Sequence, residues 1–133
     1  MDYQWSESLA TGNEQIDEQH KQLFEAINNL MKACRQGQGG AELKKSIDFL
    51  NDYTIKHFFD EQVIQQKYKY PDYENHKNIH EGFKATVRDF SHKLILKGAS
   101  EELANEVRTQ IGDWLVNHIK TQDIRLGIFI KGK

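Results

Sequence analysis

One cysteine, Cys34, and one proline, Pro71, stand among 133 residues. A lone thiol closes no disulfide within the chain, which fits a reducing compartment and gives a cytoplasmic expectation. No stretch approaches the roughly 18 consecutive apolar residues of a membrane helix. The opening MDYQWSESLA shows neither the basic nor the apolar part of a secretion signal. A basic excess is also missing: 18 Lys and Arg stand against 20 Asp and Glu, a formal net charge of −2. Nucleic acid and membrane surfaces are therefore not expected partners. There is no internal repeat, no low-complexity segment and no sustained period-two alternation, so strands find no support.

What is present is the composition of a globular protein, 38% hydrophobic and 29% charged. One domain over 1–133 is the expectation at this length, with one real core. Breaks fall at Gly37-Gln38-Gly39-Gly40, at Pro71 and at Gly98, with Ser100 suited to cap a following helix. They divide the chain into an arm over 1–12, four helices at about 13–36, 41–68, 72–97 and 100–125, and a tail over 126–133. The first helix carries Ile16, His20, Leu23, Phe24, Ile27, Leu30, Met31 and Cys34 at gaps of three and four. Leu43, Ile47, Leu50, Thr54, His57, Glu61, Ile64 and Tyr68 form the second stripe, and His76, His80, Phe83, Val87, Phe90 and Leu94 the third. The fourth reads Leu103, Val107, Ile111, Trp114 and His118, with Leu115 and Ile119 alongside. Four amphipathic helices with short connections predict an all-α, antiparallel up-down-up-down four-helix bundle with a short N-terminal arm. The apolar tail, with Ile124, Leu126, Ile128, Phe129 and Ile130, is expected to fold over the open end of that bundle.

The polar interruptions carry the chemistry. Every stripe places histidine on its inward face, and the second adds Glu61. An unpartnered carboxylate in a core is costly and normally neutralises or binds something. Counted along antiparallel helices at about 1.5 Å per residue, His20, His57, Glu61, His76, His80, His118 and Asp123 fall in one layer roughly 15 Å tall. His57/Glu61 and His76/His80 have the four-residue spacing that puts two groups on one helical face. His118 and Asp123 are five apart, about 140° around a regular helix, so Asp123 needs a local distortion or a helix end to turn inward.

Paired cysteines and the HExxH motif are absent, which disfavours zinc-finger, iron–sulfur and zinc-protease sites. The Glu-x-x-His pattern of ferritin-like centres is not found either. Five imidazoles and two carboxylates exceed one structural zinc and suit two transition-metal ions. Two octahedral ions offer about twelve positions. Five histidines, two bridging carboxylates and one bridging oxygen fill all but one, leaving room for a small ligand in an apolar core.

These residues resemble those of the hemerythrins, non-haem di-iron oxygen-binding proteins. Ile16-Asp17-Glu18-Gln19-His20-Lys21 is similar to the family's first-helix signature, preceded by the Trp5 arm. His57-Phe58-Phe59-Asp60-Glu61 resembles the second, Tyr73 with His76, His80 and Phe83 the third, and Trp114-Leu115-Val116-Asn117-His118-Ile119 with Asp123 the fourth. The resemblance implies that His76, His80 and His118 bind one iron and His20 and His57 the other. Glu61 and Asp123 would bridge them together with an oxo or hydroxo group, and O2 would take the vacant position. Leu23, Phe58, Trp114, Leu115 and Ile119 match the family's ligand pocket. The family often has a second Glu and a Met after Glu61, where this chain has Gln62, Val63 and Ile64. Reversible oxygen binding, for carriage, storage or sensing, is the expected function, by a non-enzymatic protein expected as a monomer with an oligomer left open. A di-iron enzyme reducing oxygen or peroxide, or an iron store, are the alternatives. His92, off the apolar stripe, is expected to be solvated.

Overall fold

A computed structural model describes residues 3–37 and 40–132, with the side chains of residues 40 and 42 left out. Gln38 and Gly39 of the expected glycine-rich break lie outside the described residues, as do residues 1 and 2 of the arm and Lys133 of the tail.

Helix α1 spans Glu14–Arg35. The Asn13 side chain accepts from the Ile16 amide at 3.0 Å, and Glu14 and Asp17 begin the helix where Lys32 and Arg35 end it. That charge order opposes the helix dipole at both ends. Helix α2 covers Gly40–Lys67 and α3 covers Tyr73–Lys97. Between them the chain turns through Lys69, at φ 56, and Pro71. Gly98 stops α3 at φ 78, a conformation that glycine adopts without strain. The Ser100 hydroxyl then accepts from the Leu103 amide at 3.1 Å.

The fourth rod has five segments: α4 Glu101–Val107, a π turn Arg108–Gly112, α5 Asp113–His118, a second π turn Ile119–Asp123, and α6 Ile124–Lys131. The joining residues keep right-handed helical dihedrals, so the rod is continuous. Helix α1 packs on α2 and α4, and α2 packs on α3. The all-α four-helix bundle expected from the stripes is the observed architecture. Among the described residues no helix is long and apolar enough to cross a membrane.

One boundary differs from expectation. The chain does not leave the helix near Arg125; the expected tail is α6, helical to Lys131. Leu126 is fully buried and joins Ile16 and Tyr70 in a small apolar cluster, against which Ile64, Phe129 and Ile130 pack. The tail thus closes the bundle end by prolonging its own helix. The physical reason is the spacing of Leu126, Phe129 and Ile130, which continues the three-and-four rhythm of Ile119 and Asp123. The main cluster, from Leu23 and Phe24 to Leu115 and Ile119, fills the rest of the bundle. The polar layer lies between these two apolar bodies.

The arm is tied to the bundle rather than merely laid on it. Asn28 clasps the backbone of Tyr3, accepting from its amide and donating to its carbonyl, each at 2.8 Å. The Tyr3 hydroxyl lies 2.6 Å from Asp113 Oδ1, and Lys21 sits 4.6 Å over the Trp5 ring. Thr11 donates to Asp17 Oδ1 from its amide and its hydroxyl, at 2.9 and 2.8 Å. That segment crosses α6 at Gly127, where an added methyl group would overlap the Thr11 carbonyl oxygen. Replacing a mid-helix glycine by alanine ordinarily stabilises by roughly 0.5–1 kcal/mol. Gly127→Ala should do the opposite and cost about 1–3 kcal/mol, because a backbone oxygen must move. Thermal melting checks the sign, and faster amide exchange at Thr11 would locate the damage in the arm.

Candidate metal centre

The seven residues singled out in the sequence come together. His20, His57, Glu61, His76, His80 and Asp123 are fully buried, and His118 is 3% exposed. Helix α1 supplies His20, α2 supplies His57 and Glu61, and α3 supplies His76 and His80. The fourth rod supplies His118 from the end of α5 and Asp123 from the end of the second π turn. That turn resolves the five-residue spacing. In the i→i+5 register of a π turn, Asp123 comes round to the face of His118, and their Oδ1 and Nε2 atoms are 3.2 Å apart.

Two overlapping sets of ligand-type atoms result. Glu61, His76, His80, His118 and Asp123 form one, and His20, His57, Glu61 and Asp123 the other, with the chosen atoms of each set within 4.8 Å of one another. Both carboxylates belong to both sets. Glu61 Oε1 is 3.0 Å from His76 Nε2 and 3.4 Å from His80 Nε2, while Oε2 is 3.3 Å from His57 Nε2. Asp123 Oδ2 lies 2.9 Å from His20 Nε2, and Oδ1 lies 3.1 Å from His76 Nε2.

These contacts do not satisfy the atoms that make them. Both oxygens of Glu61 and of Asp123, and Nε2 of His20, His57 and His80, are buried without hydrogen-bond geometry to any described group. The Nε2 atoms of His76 and His118 face each other at 3.1 Å. Buried polar atoms left in this state cost on the order of 1–3 kcal/mol each. Nitrogen and oxygen lone pairs converging from four helices are what a pair of cations would satisfy, so the residues fit a dinuclear centre.

The electrostatics follow from the same crowding. Burial opposes charge on Glu61, as does Asp123, yet contacts with His57, His76 and His80 hold it well below the usual carboxylate range. Burial likewise opposes charge on Asp123, and His118, His20 and His76 pull it far down. For His76 the burial penalty is overcome by Asp123 and Glu61, which lift it to about 9. His20 is raised by Asp123 against a similar penalty. His80 goes the other way: burial prevails and takes it down to about 4.

Ring orientation is set from outside the cluster. His57 Nδ1 lies 2.7 Å from Gln19 Oε1, so Nδ1–H donates there and Nε2 keeps its lone pair inward. The Gln65 amide lies 2.9 Å from His76 Nδ1, and that of Gln62 lies 3.4 Å from His80 Nδ1. An amide turned by 180° presents oxygen in place of nitrogen, and with the inward Nε2 of His76 unprotonated it is the Gln65 oxygen that accepts. Sequence reasoning missed these three glutamines. For Gln65 a signal was available, since it stands four residues after Glu61. Gln62 occupies one of the positions where the chain departs from the family pattern.

Aromatic rings wall the cluster. Phe58 stacks on His80 at 3.8 Å between centroids and Trp114 on His118 at 4.6 Å, with Phe83 against Trp114 at 3.9 Å. Leu23, Leu115 and Ile119 are buried in the same cluster as Phe58, and Trp114 packs against it partly buried. Tyr70, 5.2 Å from Phe129 and 6.4 Å from His76, closes the other side. His92 is exposed, as its position off the stripe implied.

A helical bundle enclosing histidines and shared carboxylates defines a class of dinuclear metal-binding proteins. The comparisons with known proteins make the class specific. The family described as "Hemerythrin HHE cation binding domain" matches residues 11–126. The chain is 36% identical to a bacteriohemerythrin of Pseudomonas aeruginosa over 119 residues, 90% of this chain and 75% of that one. It is 34% identical to a myohemerythrin of Theromyzon tessulatum over 125 residues, 92% and 89% of the two chains. A wild-type hemerythrin crystal structure superposes with a TM-score of 0.81 at 30% identity, covering 96% of this chain and 97% of that one. The chain belongs to the hemerythrin family.

Proposed function

We propose that this protein binds O2 reversibly at a non-haem di-iron centre, for carriage, storage or sensing, and is not an enzyme. His76, His80 and His118 hold one iron, His20 and His57 the other, and Glu61 and Asp123 serve both. The observation that carries this reading is the pair of overlapping ligand sets sharing both carboxylates. Iron, when bound, supplies the electrons that a diatomic ligand takes up and returns. The chain's own contribution is enclosure and balance. Five imidazoles against two carboxylates give a donor set poor in anionic ligands, which favours binding over high-valent chemistry. Leu23, Phe58, Trp114, Leu115 and Ile119 exclude water and anions that would promote oxidation. All seven polar residues come from one chain, so the centre needs no second copy, and the free, buried thiol of Cys34 is consistent with the cytoplasm.

Metal analysis joined to an optical spectrum, cycled between anaerobic reduction and air, tests this directly. Two irons per chain and a visible band that appears in air and vanishes on deoxygenation are expected. Irons that oxidise once and cannot be recovered would favour an enzyme, and one colourless zinc would refute the reading. Leu115→Ala should keep both irons, lose about 2–4 kcal/mol of stability from the cavity, and speed oxidation of the oxygenated form. Unchanged decay would remove Leu115 from the ligand pocket.

A further inference from the structure

Three imidazoles of the cluster turn their outer nitrogen to a glutamine, and one of these glutamines differs from the other two. Gln19 accepts from His57 Nδ1 through Oε1 at 2.7 Å and donates through Nε2 to Asp60 Oδ2 at 2.8 Å. The same oxygen accepts from Lys56 Nζ at 2.7 Å. The Asp60 side chain is 21% exposed and that of Lys56 60%. Three consecutive contacts therefore run from a fully buried ring to solvent. Behind His76 and His80 the arrangement stops at Gln65 and Gln62, neither of which is hydrogen-bonded to a carboxylate among the described residues.

We propose that Gln19 is a positioning residue that couples the metal position formed by His20 and His57 to the surface pair Asp60–Lys56, so that surface charge tunes this position and leaves the other unchanged. The proposal rests on the ligand assignment above. Its mechanism is polarisation along hydrogen bonds in a low-dielectric interior. The hydrogen bond that the Gln19 amide donates to Asp60 polarises the amide and makes Oε1 a stronger acceptor. A stronger acceptor pulls on the Nδ1–H of His57 and makes Nε2 the better donor to a cation. Lys56 opposes this by drawing on the same carboxylate oxygen. The two surface residues must therefore act with opposite sign, which a packing role does not predict. A macromolecule or ion that engaged Lys56 would strengthen the position, and one that engaged Asp60 would weaken it.

Zinc serves as the probe because it is redox-inert and diamagnetic, so the measurement does not depend on oxygen. Chelator competition should find two zinc ions in the wild-type protein. In Gln19→Leu one of them should be held about 10–100-fold more weakly, the range for loss of such an outer partner. Asp60→Asn should weaken the same ion by a smaller factor, Lys56→Met should tighten it, and Gln19→Glu should restore it. In 15N-labelled zinc protein the His57 Nδ1–H resonance should be protected from exchange, and Gln19→Leu should lose that protection. Both ions weakening equally, or the Asp60 and Lys56 variants moving in the same direction, would overturn the proposal. The two surface substitutions carry the test if Gln19→Leu does not fold. A wild-type protein that takes up no second zinc would overturn the ligand assignment itself, whereas two zincs with unmoved variants would overturn the relay alone.

Discussion

Glu61→Gln should empty both metal positions, whereas His57→Ala should empty one. The difference follows from membership: Glu61 contributes an oxygen to each of the two ligand sets, and His57 belongs to one. Glutamine preserves the volume and helical propensity of glutamate, so the bundle is expected to close around it. It removes the charge, however, and the amide nitrogen cannot accept a cation. The set on His76, His80 and His118 would keep only Asp123 as an anion, and so would the set on His20 and His57. Metal content should fall from two ions per chain to well below one. His57→Ala leaves Glu61, His76, His80, His118 and Asp123 intact, so one ion should remain and oxygen binding should be lost. His92→Ala, at an exposed position, should change neither. Metal analysis after desalting decides between these outcomes. Retention of both ions by Glu61→Gln would show that the carboxylate is structural.

The seven clustered polar residues were legible in the sequence because a four-helix bundle imposes a strict rhythm on its core. A histidine on the apolar face of each helix breaks that rhythm audibly, and counting residues from the turns puts all the breaks at one height. Asp123 was legible only as a conflict. Its five-residue spacing from His118 demanded a distortion, and the sequence IKTQD contains neither proline nor glycine to announce one. The π turn is held by tertiary demand on the aspartate, and no local propensity records that. Helix α6 was missed for a different reason: Ile124, Leu126, Ile128, Phe129 and Ile130 crowd together and read as an apolar tail, although Leu126 stands seven residues after Ile119. Gln19 was illegible for another reason. It keeps the core rhythm, three residues after Ile16 and four before Leu23, but its partners His57 and Asp60 lie on another helix, and cross-helix polar contacts leave no period in the chain.

Removing the metal should lower the melting temperature by roughly 20–30 °C and should also reverse the pH dependence of the protein. An ion present at about a thousand times its dissociation constant stabilises by about 4 kcal/mol, so two contribute about 8. At this chain length each kcal/mol corresponds to a few degrees. Without the ions, protons take their place. His76 is held at about 9, above the ordinary 6.5. A raised histidine stabilises the fold fully below its unfolded value and loses that contribution as pH climbs through the folded one. Stability of the metal-free protein should therefore fall between about pH 6.5 and 9, by on the order of 3 kcal/mol. His20, raised in the same direction, adds to the fall. On the acid side the signs change. His80 is depressed to about 4, and Glu61 and Asp123 are held below the carboxylate range, so all three withdraw stability as pH drops. The metal-free optimum should lie near pH 6. Metal uptake must run against this trend: the cation held with His80 and His118 has to displace the proton on His76, so its affinity rises with pH until about 9, and the other cation has to displace the proton that Asp123 favours on His20. Melting curves of metal-free and metal-loaded protein from pH 5 to 9 should diverge steadily above pH 6.5, with protons released on loading. Parallel curves, or a metal-free protein that gains stability toward pH 9, would mean that the shared carboxylates do not keep a proton on His76.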